Sequence, residues 1–267
     1  MDRPRWVEIL GVRVDDVTEE EALAYLEALW AGGGQHQIVT PNAEIVMAAR
    51  RDPEFRAILN AASLALPDGF GLLFAAWLQG TPLRAQVTGT DMVVRLSERA
   101  AARGWRVFYL GARPGVAAAC AARLARRFPG LVVAGAEPGA PDPASDDLMR
   151  ARLRAAGPID LLFVAYGAPK QERWIARNLP HLPVRLAMGV GGAFDFISGR
   201  VRRAPPWVRR LGFDWLFRLA MEPWRWRRQL ALPQFAALAV ATAVRQRLAG
   251  RPRSSEADYP SAGRRGR

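Results

Sequence analysis

Short apolar runs rich in β-branched and aromatic residues recur through residues 1–199 and alternate with longer stretches of Ala, Leu and Arg. That rhythm is the one expected of strands followed by crossover helices, and it predicts an α/β fold: a Rossmann-like parallel sheet with flanking helices. Strands are predicted at Trp6 to Val14, Gln37 to Thr40, Ser63 to Leu66, Arg106 to Leu110, Leu131 to Ala134, Asp160 to Ala165 and Arg185 to Met188. Thr18, with Glu21 three residues later, predicts a capping box at the start of the first helix. No internal repeat interrupts the pattern.

After Gly199 the texture changes to aromatic, apolar and arginine residues intermixed, which predicts a helical C-terminal appendage at 200–250 on a catalytic core at 1–199. Within it, Gln229 to Leu248 is largely apolar, with Pro233 inside and Arg245 and Arg247 near its end. Such a helix suits a membrane interface or a partner surface, and equally an ordinary docking on the core. The remaining residues, 251–267, are polar and arginine-rich and are expected to be disordered.

Charge sharpens this division. The chain of 267 residues carries a net +13, yet residues 1–199 hold 22 basic and 21 acidic groups, against 16 and 4 in residues 200–267. A near-neutral body therefore bears a basic device suited to phosphate-rich partners: nucleic acid, anionic lipid or a pyrophosphate. No apolar run at the N-terminus suits a signal peptide and none reaches the roughly 20 residues of a membrane span, so a cytoplasmic location is expected. The single cysteine, Cys120, allows no intramolecular disulfide and reads as core packing.

Candidate chemistry lies at four strand-to-loop junctions, because ligands of open α/β sheets bind beyond the carboxyl ends of the strands. IVTPNAEIV puts Thr40 and Asn42 just past a strand, with Asn42 placed to cap the next helix. LALPDGFGL puts Asp68 in a Pro-Asp-Gly turn, where a partly buried carboxylate becomes a general base. LLFVAYGAPKQERW runs through Gly167 into a helix whose first turn holds Lys170, Gln171 and Glu172, with free N–H groups for a phosphate. MGVGGAFDFISG is a glycine-rich loop through Gly189, Gly191 and Gly192, followed by Asp195, where a nucleotide can approach the backbone. VFYLGARPG, around Gly111 and Gly115, is a weaker junction of the same kind.

The sequence has no Walker A lysine loop, no H-E-x-x-H and no Asp-x-Asp triplet, and neither His36 nor His181 sits in a triad or ligand pattern. No metal and no cofactor is expected, and a diphosphate is expected to be neutralised by arginines and helix ends.

In order along residues 6 to 230, the strings TPNAEIV, PDGFG, TGTD, FYLGARPG, GAPKQE, GGAFDFISG, RRAPPW and EPWRWRR resemble the WecG/TagA/CpsF family of bacterial glycosyltransferases. The resemblance implies an inverting, metal-independent transfer of N-acetylmannosamine or a related sugar from a UDP-sugar to an undecaprenyl-diphosphate-linked saccharide, in cell-surface polysaccharide synthesis. Matching motifs make Asp68 the catalytic base and put Thr40, Asn42 and Gln171 around the substrates; Asp195 is counted with them. Arg218, Arg225 and Arg228 are implied to close over the active site. The resemblance also implies peripheral contact with the inner membrane surface, and homo-oligomers are allowed. The sequence departs from the family pattern in its arginine-rich tail and in the Pro-containing stretch after Arg228.

Two other readings compete. Arginines interleaved with Trp207, Trp215, Trp224 and Trp226 suit a nucleic-acid-binding module, but that reading leaves the four loops unused, so nucleic acid is not expected as a partner. A dinucleotide oxidoreductase lacks its glycine fingerprint and ribose-binding acid.

Overall fold

The structure, a computed structural model, describes residues 3–205, 207–208, 212, 214–223 and 226–248, with backbone alone at 218, 227 and 228. The tail expected to be disordered at 251–267 lies outside the described residues.

Six parallel strands form the main sheet: β3 (His36–Val39), β4 (Leu64–Ala65), β5 (Arg106–Gly111), β6 (Val132–Glu137), β7 (Ile159–Ala165) and β8 (Val184–Gly189). Their spatial order is β4-β3-β8-β7-β5-β6. On one face pack α1 (Glu19–Gly32), α5 (Gly89–Arg103), α6 (Val116–Arg127) and α9 (Ala193–Ile197). The other face is covered by α2 (Ala43–Arg51), α3 (Pro53–Ala61), α4 (Phe70–Leu78), α7 (Asp146–Ala155) and α8 (Lys170–Asn178). Alternation within single strands feeds both layers. Val107, Tyr109, Leu161 and Phe163 enter the first, Phe108, Leu110, Leu162 and Val164 the second. A strand buried on both sides, such as β7, reads as an unbroken apolar run, and six of the seven predicted strands match in place to within a few residues. Cys120 is buried in the first layer, and burial pushes its thiol up to about 12, as core packing demands.

The seventh prediction is corrected. Trp6 to Val14 is not one strand but an antiparallel hairpin, β1 (Trp6–Ile9) and β2 (Val12–Asp15), outside the main sheet. Leu10 and Gly11 both adopt positive φ, 50° and 88°, forming the two-residue turn whose twist matches that of its strands. Val7, Ile9, Val12 and Val14 are all buried. The hairpin is fastened to β4 by Asp15, whose Oδ2 accepts the Ala65 N–H at 2.7 Å and Arg13 Nη2 at 3.0 Å. That carboxylate occupies part of a sheet edge that otherwise offers unpaired backbone groups.

Thr18 opens α1 as expected. Its Oγ1 accepts the Glu21 N–H at 3.3 Å, and the Glu21 carboxylate accepts the Thr18 N–H at 2.9 Å. Replacing Thr18 with Ala removes one half of this box, and urea unfolding is expected to show a loss of about 1 kcal/mol. An unchanged midpoint would show that the cap is dispensable.

The C-terminal segment contains α10 (Asp214–Met221), α11 (Trp226–Gln229) and α12 (Ala231–Leu248). Of the alternatives open for the apolar stretch ending at Leu248, the structure selects docking on the core. Phe235, Ala239 and Ala243 recur every four residues and are buried, with Phe235 and Ala239 joining residues of α2 and α4. Pro233 falls in the first turn of α12, where its missing N–H breaks no helical hydrogen bond. Among the described residues, no helix is long and apolar enough to cross a membrane.

Candidate active site

Every parallel strand delivers its carboxyl end to the same edge of the sheet, and every following helix begins there. Beyond β4, β3, β8 and β7 this edge opens into a cavity of about 1010 Å³, at the large end of the ~300–1,000 Å³ usual for ligand sites. The first turns of α2, α4, α5, α8 and α9 line it, so several helix dipoles present their positive ends to whatever it holds. Its outer wall comes from the C-terminal segment, through Asp214, Trp215, Phe217, Gln229 and Phe235.

Thr40, Asn42, Asp68, Gln171 and Asp195, chosen from sequence, all border this one cavity. Asn42 caps α2, its Oδ1 accepting the Ile45 N–H at 3.0 Å. Thr40 donates its hydroxyl to the Gly189 carbonyl at 3.2 Å and so joins the ends of β3 and β8. Asp195 projects from α9, with Arg200 Nε 4.0 Å from its carboxylate. Of the three arginines, Arg218 belongs to α10 and Arg228 to α11, but their side chains, like the whole of Arg225 and Trp224, lie outside the described residues. Trp207, Trp215 and Trp226 are exposed.

Asp68 sits at the end of β4, where its N–H is held by the Pro41 carbonyl at 3.0 Å. Its Oδ2 accepts the N–H of Gly89, the first residue of α5, at 3.1 Å. Burial pushes this carboxyl up to about 7; the Gly89 bond and Arg203 oppose the rise, while Asp214 and Asp91 add to it. A carboxylate poised near neutrality, anchored by one oxygen and bordering a cavity, is equipped to take a proton from a hydroxyl group.

Gln171 borders the cavity from within the protein. It is almost wholly buried, and its Oε1 accepts the N–H of both Gly167 at 3.0 Å and Gly191 at 2.9 Å. Its Nε2 donates to Glu172 Oε1 at 2.8 Å. The N–H groups of Gly167 and Gly191 are therefore engaged inside the protein, and Gln171 clamps the β7 and β8 loops together. Gly189 is required for this reason: a Cβ there would lie 2.8 Å from Gln171 Nε2. Gly191, by contrast, has φ +53° with nothing near an added Cβ, and opens on the cavity. Glu172 is fully buried, and desolvation pushes its carboxyl up to about 7.

Sequence reasoning assigned no role to Arg203 of RRAPPW or to Thr88 and Asp91 of TGTD. Arg203 grips both oxygens of Asp91, at 2.5 and 2.7 Å, beside Asp68. The available signal was the Thr88-x-x-Asp91 spacing of a helix cap, which Thr88 and Asp91 do form. Among the described residues, no three His, Cys, Asp or Glu side chains are grouped so as to hold a metal ion.

Fold and cleft define an α/β protein with a carboxylate-centred ligand site at the carboxyl edge of a parallel sheet. The chain belongs to the glycosyl transferase WecG/TagA/CpsF family, whose sequence profile matches residues 7–249. It is a glycosyltransferase of cell-surface polysaccharide synthesis. It is 38% identical over 198 residues to an N-acetylglucosaminyldiphosphoundecaprenol N-acetyl-beta-D-mannosaminyltransferase of Bacillus spizizenii, covering 74% of this chain and 76% of that one. The Bacillus subtilis protein of the same name is 35% identical over 200 residues, covering 74% and 77%.

Proposed function

We propose that this glycosyltransferase moves N-acetylmannosamine from its UDP derivative to the sugar hydroxyl of N-acetylglucosaminyldiphosphoundecaprenol, with inversion and without a metal. Asp68 carries the proposal, as a carboxylate with a pKa of about 7 at the edge of a cavity large enough for a nucleotide sugar. The acceptor hydroxyl attacks the anomeric carbon as the bond to the UDP oxygen breaks, through an oxocarbenium-like state. Asp68 takes the hydroxyl proton, and UDP leaves with the electron pair. Attack from the face opposite the diphosphate converts an α-linked donor to a β-linked product, in keeping with the "beta" of the relatives' names.

The negative charge growing on the diphosphate meets helix N-termini and guanidinium groups. Arg202 borders the cavity, and Arg218, Arg225 and Arg228 of the C-terminal segment are assigned to the same charge. Thr40, Asn42 and Asp195 contact the substrates, and Gln171 shapes the loops that hold them. The exposed Trp207, Trp215, Leu216, Met221 and Trp226, in a segment rich in arginine, provide an amphipathic surface for an anionic membrane that carries the lipid-linked acceptor.

The test is incubation with a panel of UDP-sugars and a short-chain lipid-diphosphate acceptor in the presence of a chelator. Mass spectrometry follows the product and NMR reads its anomeric configuration. Transfer of N-acetylmannosamine into a β linkage is expected. Absence of transfer from every donor, alongside salt-sensitive DNA binding, would replace the proposal with a nucleic-acid-binding role. Transfer only after a divalent cation is restored would remove metal independence.

A further inference from the structure

Three distant parts of the chain meet at the first turn of α5. Thr88 accepts the Asp91 N–H at 3.1 Å and donates its hydroxyl to Asp91 Oδ2 at 2.7 Å. Gly89, between them, points its N–H away from this cap and onto Asp68 Oδ2. Arg203 arrives from beyond α9. Its Nη1 donates to Asp91 Oδ1 at 2.5 Å, and its Nη2 to Asp91 Oδ2 at 2.7 Å and Thr88 Oγ1 at 3.2 Å. This fork-to-fork pairing holds two planes in fixed relation, which a lysine cannot do. Gly89 packs in van der Waals contact on the Asp68 side: a Cβ on it would stand 3.4 Å from Thr40 Cγ2 and 3.6 Å from Asp68 Oδ2. The helix turn that anchors Asp68 is thus itself anchored by an ion pair to the start of the C-terminal segment.

We infer that Asp91 and Arg203 act as a positioning pair for Asp68, fixing through the first turn of α5 where its carboxylate stands and which charges surround it. For catalysis the inference rests on Asp68 being the general base; for the ionisation of Asp68 it does not. Arg203 draws Asp68 toward the charged form, and Asp214 of α10 and Asp91 oppose that. Other ionisable groups bordering the cavity are Glu44 of α2, Asp195 of α9, Arg202 and Glu222. Neither partner of the pair need touch substrate. Their joint effect is to hold Asp68 at the cavity edge with its carboxylate placed to accept a proton.

Paired charges of opposite sign give the inference an unusual signature. Arg203→Gln removes the cation, so the Asp68 titration is expected to move up by about 0.5 to 1 unit; Asp91→Asn removes an anion and is expected to move it down by a similar amount. In Asp91→Asn/Arg203→Gln the two effects largely cancel. Asp68 is followed directly by carbon-13 NMR of carboxylates in the substrate-free protein, its signal identified by loss in Asp68→Asn, and in parallel as the acid limb of kcat/KM. Arg203→Lys, which keeps the charge and loses the fork, is expected to leave the titration near wild type while lowering kcat several-fold, and it serves also if Arg203→Gln does not fold. Shifts in the same direction for both single variants, or none in either, would overturn the inference, because simple loosening of the fold has no reason to change sign. Opposite NMR shifts that kcat/KM does not follow would uphold the pair and remove Asp68 as the base.

Discussion

Replacing Asp68 with Asn is expected to lower the rate of sugar transfer by roughly 100- to 10,000-fold, the usual worth of general-base assistance. The substitution is nearly isosteric, and the Asn carbonyl oxygen can still accept the Gly89 N–H, so the loss should lie in kcat rather than in folding. In the wild type, kcat/KM is expected to fall below pH 7, following the carboxylate pushed up to about 7 by burial. Stability provides a second check with a definite sign. The folded carboxyl titrates above its ordinary value of 3.8, so the fold favours the neutral acid. The associated stabilisation is complete below pH 3.8 and is lost progressively until about pH 7. Asp68→Asn removes this dependence, and its melting temperature at pH 8 should equal or exceed that of the wild type. Near wild-type turnover in a well-folded Asp68→Asn protein would remove Asp68 from the mechanism.

The second large effect is expected at Gln171, and it is structural first. Gln171→Ala leaves the Gly167 N–H, the Gly191 N–H and Glu172 Oε1 without their partner and opens a void against Gly189. The Glu172 oxygen is buried and costs about 1–3 kcal/mol when left unsatisfied, whereas the two loop N–H groups are part-buried and water can reach them from the cavity. With the void, the expected loss is roughly 2–4 kcal/mol by chemical denaturation. Because the two loops border the cavity, kcat/KM should fall at least tenfold in whatever protein remains folded. Gln171→Met separates the contributions, since it keeps most of the volume and none of the hydrogen bonds. A Met variant as stable and active as wild type would show that the clamp is only filler.

What these two positions have in common is that their residue types were readable and their surroundings were not. Asp68 and Gln171 stand out in sequence because PDG and PKQE follow apolar runs. The same local logic found the caps at Thr18 and Asn42, where donor and acceptor are three residues apart. Strands buried on both faces announce themselves through their own composition, so the α/β class was legible as well. The hairpin was less so, because a strand reading from Trp6 to Val14 differs from two strands only in the backbone dihedrals of Leu10 and Gly11.

The sequence by itself therefore determined the class of fold, most of its strands, the family, and the loops that meet at the carboxyl edge. Each of these is written in neighbours a few residues apart or in an ordered string of motifs. Only the tertiary structure decided the order β4-β3-β8-β7-β5-β6, the docking of α12 on the core, the inward turn of Gln171 and the pairing of Arg203 with Asp91. Those depend on which distant segments share buried space: Arg203 and Asp91 are 112 residues apart, and no local periodicity records that contact. Burial then sets the chemistry, because the same Asp-Gly turn in water holds an ordinary carboxylate and here holds one that ionises near neutrality.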